Sequence, residues 1–300
     1  MKKTAALLLF VLMAVGFAKA QTQTFENVLK MDLRNKGYIM ENDNLVGTYL
    51  FYLNEKVDRK TDSYLLKILD NNLSLVKSIE IERPRKSYLL EMVFNGKAFM
   101  MMFFTAKGNL DLVTYDKNGT KLGEKNFEDL TRMEKYTYQM SQTNGTTNAT
   151  IYPTGDGGFV RQAYAKNEKD GYRIEAYDNN LNQIWTAGSD EKSEMVEGGD
   201  IIYSSTQYTG LNVLRKKKRT SREYDLFFQL IDSKTGKLVF EKPLKDNGAD
   251  LSMLTCFIDE SSKQVIIGGE YFAPGEDQGK AKSQGMFMMT FDFTGTQKQL

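Results

Sequence analysis

The chain has 300 residues, and its 40 basic and 39 acidic side chains nearly cancel, which excludes a general electrostatic attraction to nucleic acid or to an anionic membrane. It contains no histidine, which excludes the serine and cysteine triads, histidine general bases and the common catalytic zinc sites. The one cysteine, Cys256, excludes a disulfide within the chain, so the fold has to be held by its apolar core.

The first twenty residues have the pattern of a secretory signal peptide. Lys2 and Lys3 precede an apolar stretch from Ala5 to Phe17, and Ala18-Lys19-Ala20 places small residues at the positions that signal peptidase reads. The stretch has 13 residues, whereas a membrane-spanning helix needs about 20. We therefore predict cleavage after residue 20, a mature chain that starts at Gln21, and a periplasmic or extracellular location without membrane insertion after cleavage.

One signature recurs five times in the rest of the chain: a strand that ends in an apolar residue and an aspartate, followed by a tight polar turn. The five segments are Tyr64–Asp70, Leu110–Asp116, Tyr172–Asp178, Leu226–Asp232 and Met286–Asp292. Their aspartates are 46, 62, 54 and 60 residues apart, which is the length that four strands and their loops occupy in a propeller blade. The sequence predicts an all-β fold over residues 21–300, a β-propeller of about five four-stranded antiparallel blades.

Both faces of these strands are predicted to be buried. The fourth residue before each aspartate is apolar, and so is the residue directly before it. The fourth-before residues are Leu66, Leu112, Ile174, Phe228 and Met288, and the directly preceding ones are Leu69, Tyr115, Tyr177, Ile231 and Phe291. The two positions lie on opposite faces of a strand, so each sheet should pack between two neighbouring sheets.

The aspartates themselves are interpreted as turn caps. A carboxylate at the start of a turn accepts hydrogen bonds from the turn amides, and the residues that follow are asparagine, glycine, serine, threonine or lysine in most turns. Met100-Met101-Met102 and Trp185 are likewise interpreted as blade packing rather than as a soft-metal site or a sugar platform. The lack of a long apolar pattern with a 3.6-residue period predicts few helices.

The fourth repeat carries a family resemblance. The segment 230–240, with Asp232, Thr235-Gly236 and Phe240, resembles the repeat of PQQ-type quinoprotein propellers, in which aspartate, Thr-Gly and a closing tryptophan recur. Phe240 stands at the tryptophan position, and Trp185 stands one residue earlier in the third repeat. The resemblance implies a propeller fold, and since scaffold propellers with such repeats need no cofactor, we expect no cofactor here.

The long connections are all expected on one face of the propeller, here called the loop face. They cover residues 54–62, 128–150, 188–199, 217–223 and 273–284, and each joins the second strand to the third or the fourth to the next blade. The short turns lie on the opposite face, here called the turn face. Binding residues concentrate on loops that a rigid scaffold holds, so we expect any site on the loop face, around the central channel.

Two basic clusters on this face are the candidate ligand-binding residues. The first consists of Arg83, Arg85 and Lys86, and the second of Arg215, Lys217 and Arg219. They would suit an anionic glycan or phosphate, and the alternative is solvated charge at hairpin tips. Four acids could offer oxygen atoms to calcium, namely Glu191, Glu194, Glu197 and Asp200, but their spacing fits no defined calcium loop. We assign no metal ligand and no catalytic residue.

The functional hypothesis is a secreted, non-catalytic binding or scaffold module of the cell envelope, with an unknown protein or glycan partner and no nucleic acid. The alternative is a carboxylate-dependent enzyme that acts on polysaccharide. The sequence stops at Leu300, inside the last strand of the fifth blade. This ending fits a five-bladed ring closed by residues 23–29, or the N-terminal part of a longer protein, and we favour the second interpretation.

Overall fold

Five antiparallel sheets of four strands each make up the structure, a computed structural model. It describes residues 32–41, 44–145, 149–155, 157–164, 171–189, 195–218, 220, 224–245, 248–275 and 281–299. The predicted signal peptide and the proposed closing segment 23–29 lie outside these residues. The all-β fold of four-stranded antiparallel blades is confirmed.

The strands follow one another in chain order within each sheet. The first sheet contains β1 (Asp32–Glu41), β2 (Asn44–Lys56), β3 (Thr61–Asp70) and β4 (Leu75–Pro84). The second contains β5 (Tyr88–Phe94), β6 (Ala98–Phe104), β7 (Leu110–Asp116) and β8 (Lys121–Phe127). The third, after a helix α1 (Arg132–Asn144), contains β9 (Ile151–Pro153), β10 (Gly158–Tyr164), β11 (Tyr172–Asp178) and β12 (Gln183–Gly188). The fourth contains β13 (Val196–Ser204), β14 (Tyr208–Lys216), β15 (Asp225–Asp232) and β16 (Leu238–Pro243), and the fifth contains β17 (Asp250–Asp259), β18 (Gln264–Phe272), β19 (Gly285–Asp292) and β20 (Gln297–Gln299).

The first strand of each sheet lies innermost. β1 contacts β5, β5 contacts β9, β9 contacts β13, and β13 contacts β17. Successive sheets therefore stack face to face around a common side, as the blades of a propeller do. This order places the connections between second and third strands, and those between sheets, on the loop face.

The five aspartates cap their turns as predicted. In each repeat one carboxylate oxygen, Oδ1, accepts the backbone N–H of the second residue after it, at 2.8 to 3.1 Å. The same oxygen accepts a second turn N–H at 2.8 to 2.9 Å. These residues are therefore structural, because their carboxylates hold the turn that lets each third strand pair with the fourth.

A sixth cap, Asp259, provides a pH test of this arrangement. Hydrogen bonds from the Ser261 hydroxyl, and then from the Ser262 hydroxyl, lower the pKa of Asp259 to about 2. The ordinary value is about 3.9, so the contribution of Asp259 to stability is complete above about pH 4 and is lost as the pH falls through the folded value. We expect its carboxyl carbon to titrate near pH 2 by NMR, and the Ser261→Ala, Ser262→Ala variant to titrate nearer 3.9. An ordinary midpoint in the unmodified protein would contradict the observed contacts.

Burial on both faces of the sheets is confirmed with one exception. The fourth-before residues of the first four repeats are completely buried, and the directly preceding residues are buried, with Tyr115 partly so. The exception is Met288 in the fifth sheet, whose predicted burial is wrong, because no described sheet follows to cover its face. The Met100–Met102 run is buried as predicted. Met101 packs toward the first sheet, and Met100 and Met102 pack toward the third.

Trp185 joins the third sheet to the fourth, which confirms its interpretation as packing. Its indole is buried, and Nε1 donates to the backbone oxygen of Ser233 at 2.7 Å. Gly236 lies on the indole in a left-handed conformation (φ 70°), and a Cβ there would lie 2.7 Å from the ring. Phe240 lies in the same way beneath Gly295 of the fifth sheet, so the aromatic residues at this position of the third and fourth sheets each pack on the turn of the following sheet.

One helix is present among the described residues, and its place in the connection 128–150 was not predicted. Thr131 and Glu134 form a capping box, in which the Thr131 hydroxyl accepts the Glu134 N–H and the Glu134 carboxylate accepts the Thr131 N–H. Only Glu134 and Tyr138 of α1 are buried, so the helix has no apolar stripe that a period of 3.6 residues would reveal. No described helix is long and apolar enough to cross a membrane.

Candidate functional site

The loop face contains a cavity of about 350 Å³ between the second, third and fourth sheets. Leu90 and Met102 of the second sheet form part of its apolar wall, and α1 lies along one side through Thr137, Tyr138 and Ser141. Three tyrosines from separate elements line it, namely Tyr138, Tyr164 and Tyr172, and its polar lining includes Thr150, Gln162 and Asp200. The cavity lies on the face that carries the long connections, and whether it is a functional site stays a prediction.

Tyr138 fixes α1 over the cavity. Its ring is buried, packs against Phe104 at a centroid distance of 5.7 Å, and meets Tyr164 edge to face at 6.3 Å. Its hydroxyl accepts a hydrogen bond of 3.3 Å from Arg161, which is itself completely buried. Burial raises the pKa of Tyr138, so its hydroxyl stays protonated at neutral pH. The ring therefore acts as a fixed wall of the cavity.

Glu91 holds another part of the lining in place through Thr150. Its buried carboxylate accepts the Thr150 N–H at 2.9 Å, the Thr150 hydroxyl at 2.7 Å and the Ile151 N–H at 3.2 Å. These bonds anchor the end of the connection that contains α1, at the point where β9 begins. Burial raises the pKa of Glu91. Both of its oxygens are engaged by Thr150 and Ile151, which makes Glu91 a structural residue behind the wall.

The rim of the cavity carries an amide and a carboxylate that contact each other. Gln162 Nε2 donates to Asp200 Oδ1 at 2.9 Å, and Gln162 Oε1 accepts the Ile201 N–H at 3.4 Å. Asp200 is exposed on the inner strand β13. It is the only carboxylate among the lining residues that the structure describes. A ligand at the rim thus meets a hydrogen-bond acceptor whose orientation Gln162 holds.

Tyr172 completes the lining from the third sheet. Its hydroxyl donates to Gln229 Oε1 at 2.9 Å, and burial raises its pKa to about 12. The ring lies so close to Gly199 that a Cβ at this glycine would be 2.5 Å from it. Gly199 is therefore required for this approach, and the aromatic wall is built before any ligand arrives.

The first predicted cluster does not form this site. Arg83 is buried at the end of β4, where Nη1 donates to Glu124 at 2.7 Å, Nη2 contacts Asp111, and the guanidinium lies 5.1 Å from the Phe103 ring centre. It joins the first and second sheets through paired charges rather than presenting a free cation on a loop. Arg85 is half-buried and Lys86 exposed in the β4–β5 connection.

The second predicted cluster does not form this site either, and its arginine is also paired with acidic side chains. Arg215 lies in β14, and its Nε donates to Glu197 at 2.7 Å while Nη1 and Nη2 both donate to Glu241 at 2.7 Å. Lys217 is exposed, and Arg219 lies outside the described residues. None of the described members of either cluster lines the cavity. Ligand binding by the exposed members of these clusters stays a prediction.

The other described side chains that could bind a metal or act as a nucleophile have hydrogen-bond partners or are buried. Glu197 pairs with Arg215, and Asp200 accepts from Gln162, while residues 191 and 194 lie outside the described part of the chain. No group of three or more acidic or cysteine side chains suited to a metal occurs among the described residues. Burial raises the pKa of Cys256 to about 12, so its thiol stays protonated at neutral pH and is a poor nucleophile.

None of the residues that line the cavity was predicted from the sequence to bind a ligand other than calcium. Asp200 was weighed only as a calcium ligand, and the three tyrosines carried no local motif. The available signal was the length of the connections 128–150 and 188–199, because described residues of both, such as Tyr138 and Gly199, line the cavity.

Comparison with known proteins decides the family. Residues 1–299 match the Family of unknown function (DUF6770). The chain belongs to this family. A search of curated proteins finds no match to the chain.

The chain is also similar to solved structures at low sequence identity. The chain is similar to a eukaryotic initiation factor (9% identity, TM-score 0.49), covering 89% of this chain and 54% of that one, so it spans about half the length of that structure. It is also similar to cobalt-substituted Synechocystis ACO (6% identity, TM-score 0.40; 86% and 61% covered) and to BamB from Moraxella catarrhalis (9% identity, TM-score 0.30; 88% and 84% covered). Likeness at this level carries no argument about ligands or activity.

Proposed function

We propose that this chain is a secreted, non-catalytic binding module of the cell envelope and that it holds a glycan in the loop-face cavity. The signal-peptide pattern of residues 1–20 supports export. The observation that carries the binding role is the cavity itself, which combines three tyrosine rings with Thr150, Gln162 and Asp200. Concave, largely apolar sites with a few placed polar groups are the usual form of small-ligand sites.

The chemistry of the lining favours a sugar over an anionic ligand. Tyrosine rings pack on the apolar faces of a sugar ring, and the Gln162 amide, the Thr150 hydroxyl and the Asp200 carboxylate match hydroxyl groups as donors and acceptors. Asp200 gives the rim a negative charge, and the described lining residues include no lysine or arginine to oppose it.

The arrangement of carboxylates supports binding over hydrolysis. Glycosidases as a rule use two carboxyl groups about 5 to 9.5 Å apart that flank the bond to be cleaved. Asp200 is the one described carboxylate in the lining, and the oxygens of Glu91 are committed to Thr150 and Ile151. A ligand in this cavity thus meets one carboxylate and fixed neutral groups.

The test is glycan binding by the protein recovered from a periplasmic or culture fraction, with its intact mass checked for a start at Gln21. We expect an array of neutral oligosaccharides to yield at least one ligand, and Asp200→Ala to weaken its binding about tenfold, because one charge-assisted hydrogen bond is lost. Tyr164→Ala should weaken it by a similar factor. Lys234→Ala, an exposed change on the turn face, is the matched control and should leave binding unchanged.

Three results would overturn this assignment. Loss of binding in Lys234→Ala with retention in Asp200→Ala would move the site to the turn face. Loss of glycan binding in Lys86→Ala or Lys217→Ala alone would place the binding site at the exposed members of the basic clusters. Release of reducing sugar from the bound glycan, abolished by Asp200→Asn, would establish the polysaccharide-active enzyme instead.

A further inference from the structure

The fifth sheet has an apolar face that no described part of the chain covers. Met286 is 78% exposed, Phe257 59% and Met288 54%. Strand pairing places them on one side, because Phe257 lies opposite Ile266 in β18, while Met288 lies opposite Gly268 and Met286 opposite Glu270. We call this side the fifth-sheet face. Contiguous apolar surface of this kind on a folded protein marks an interaction site.

The repeat shows what kind of surface should cover it. Met288 stands four residues before Asp292, and its counterparts in the other sheets are Leu66, Leu112, Ile174 and Phe228, all completely buried. Leu66 packs on the second sheet and Phe228 on the fifth. In each case the cover is the following four-stranded sheet, so the fifth-sheet face has the form that receives another sheet of the same type.

The first sheet has the complementary face, here called the first-sheet face. Tyr38 lies opposite Thr48, Thr48 opposite Leu69, and Leu69 opposite Leu75, so these side chains share one side. Tyr38 is 70% exposed, and Leu75 is also exposed. Leu69 stands directly before Asp70, and its counterparts Tyr177, Ile231 and Phe291 pack on the preceding sheet.

Charge supports a contact between the two faces. Lys36 lies two residues before Tyr38 and is therefore on the first-sheet face, where it is exposed. Glu270, opposite Met286, lies on the fifth-sheet face. On the first-sheet face Leu69 is buried, at 4% exposed, whereas Tyr38 and Leu75 are exposed. The exposed side chains Tyr38 and Leu75 are therefore not packed on Met288 of the same chain.

We propose that a second copy of this chain places its first-sheet face on the fifth-sheet face. The contact would repeat the sheet-on-sheet packing that already joins the four neighbouring pairs of sheets, with Met288 covered as its four counterparts are. It is a heterologous contact, since two different surfaces meet. It is independent of the loop-face cavity, because neither face includes a residue that lines it.

The experiment is light scattering or sedimentation of the native protein over a hundredfold range of concentration, with two charged variants. We expect the unmodified protein to reach at least twice the mass of one chain. Met288→Glu and Tyr38→Glu should each shift the association to about tenfold higher concentration or abolish it. Leu238→Glu is the matched control, because Leu238 is also 54% exposed but lies on β16, away from both faces; it should associate as the unmodified protein does.

Mixing the two variants distinguishes this contact from others. Met288→Glu retains its first-sheet face and Tyr38→Glu retains its fifth-sheet face, so an equimolar mixture should form a one-to-one pair that neither variant forms alone. Self-association of Tyr38→Glu at the unmodified strength would indicate a contact between two fifth-sheet faces and would overturn the proposal. A constant mass of one chain at all concentrations would also overturn it.

A disulfide test identifies ring closure within one chain. In a Cys256→Ser background, Tyr38→Cys and Met288→Cys are placed on separate chains, or together on one chain. A crosslink between separate chains supports the proposal. A crosslink that forms only within the double variant, at the mass of one chain, would show that the two faces close on each other and that no second copy is needed.

Discussion

Arg161→Met is expected to lower the free energy of unfolding by about 3 kcal/mol, because it leaves the buried carboxylate of Glu175 without one of its two arginine partners. Arg161 is completely buried, with Nη1 3.1 Å from Glu175 Oε2 and its guanidinium 5.2 Å from the Phe127 ring centre. Glu175 would keep Arg173 at 3.0 Å and the Tyr177 hydroxyl at 2.8 Å. This remaining support places the expected cost at the lower end of the range for broken buried pairs.

Denaturant unfolding measures this effect, and a second variant isolates its cause. Arg161→Met combined with Glu175→Leu should recover much of the lost stability, because a buried ion pair replaced by apolar side chains of similar volume is often neutral. Lys121→Met, which removes an exposed partner of Glu124, should cost less than about 1 kcal/mol. Equal losses in the single and double Arg161 variants would show that packing, rather than the charge of Glu175, sets the cost.

Arg161 also connects stability to the candidate site. Its Nη2 donates to the Tyr138 hydroxyl, which holds α1 over the cavity. Arg161→Lys should therefore also weaken the hold on α1. Arginine reaches Glu175 and Tyr138 with two nitrogens of one planar group, and lysine has a single nitrogen. We expect the glycan affinity of this variant to fall even under conditions in which the protein stays folded.

Trp185→Ala is expected to lower the free energy of unfolding by about 3–5 kcal/mol, the usual cost of deleting a large buried aromatic side chain. The indole packs beneath Gly236 and donates to Ser233, so its removal opens a cavity between the third and fourth sheets and leaves the turn of the fourth without its support. Trp185→Phe should cost less, because Phe240 fills the corresponding place in the next sheet.

The matched control for Trp185 is its neighbour Ile184, which is exposed on the same strand. Ile184→Ala should change stability by less than about 0.5 kcal/mol. Gly236→Ala should destabilise strongly by itself, because its Cβ would meet the indole and its left-handed backbone disfavours alanine. A Trp185→Ala protein within about 1 kcal/mol of the unmodified one would contradict the role of the indole as a lock between sheets.

Features that depend on a few consecutive residues were predictable from the sequence. The cap at Asp232 involves Lys234 and Thr235, within three residues along the chain, so turn chemistry alone identifies it. Strand pairing follows the alternation of apolar positions in the same way. Repetition of this unit five times then determined the fold class, because a sheet with two apolar faces needs a neighbour on each side.

Features that depend on distant partners were decided only by the tertiary structure. Arg83 reads as a loop cation in the sequence, and its partners Asp111 and Glu124 become visible only when the second sheet packs on the first. The helix α1 has no apolar stripe, because a single buried tyrosine and a capping box hold it. The cavity was equally hidden, since its tyrosines come from α1, β10 and β11.

Met288 shows most clearly that burial could not be predicted from the local sequence pattern. Its sequence position is equivalent to that of Phe228, and the local pattern assigns both to the core. Phe228 is completely buried and Met288 is mostly exposed. The sequence by itself determined the strands, the turns and which face of each sheet is apolar, since these follow from local alternation and hydrogen bonding. Only the tertiary structure decided which of those faces has a neighbour, because burial depends on a second surface that the residue's own segment does not contain.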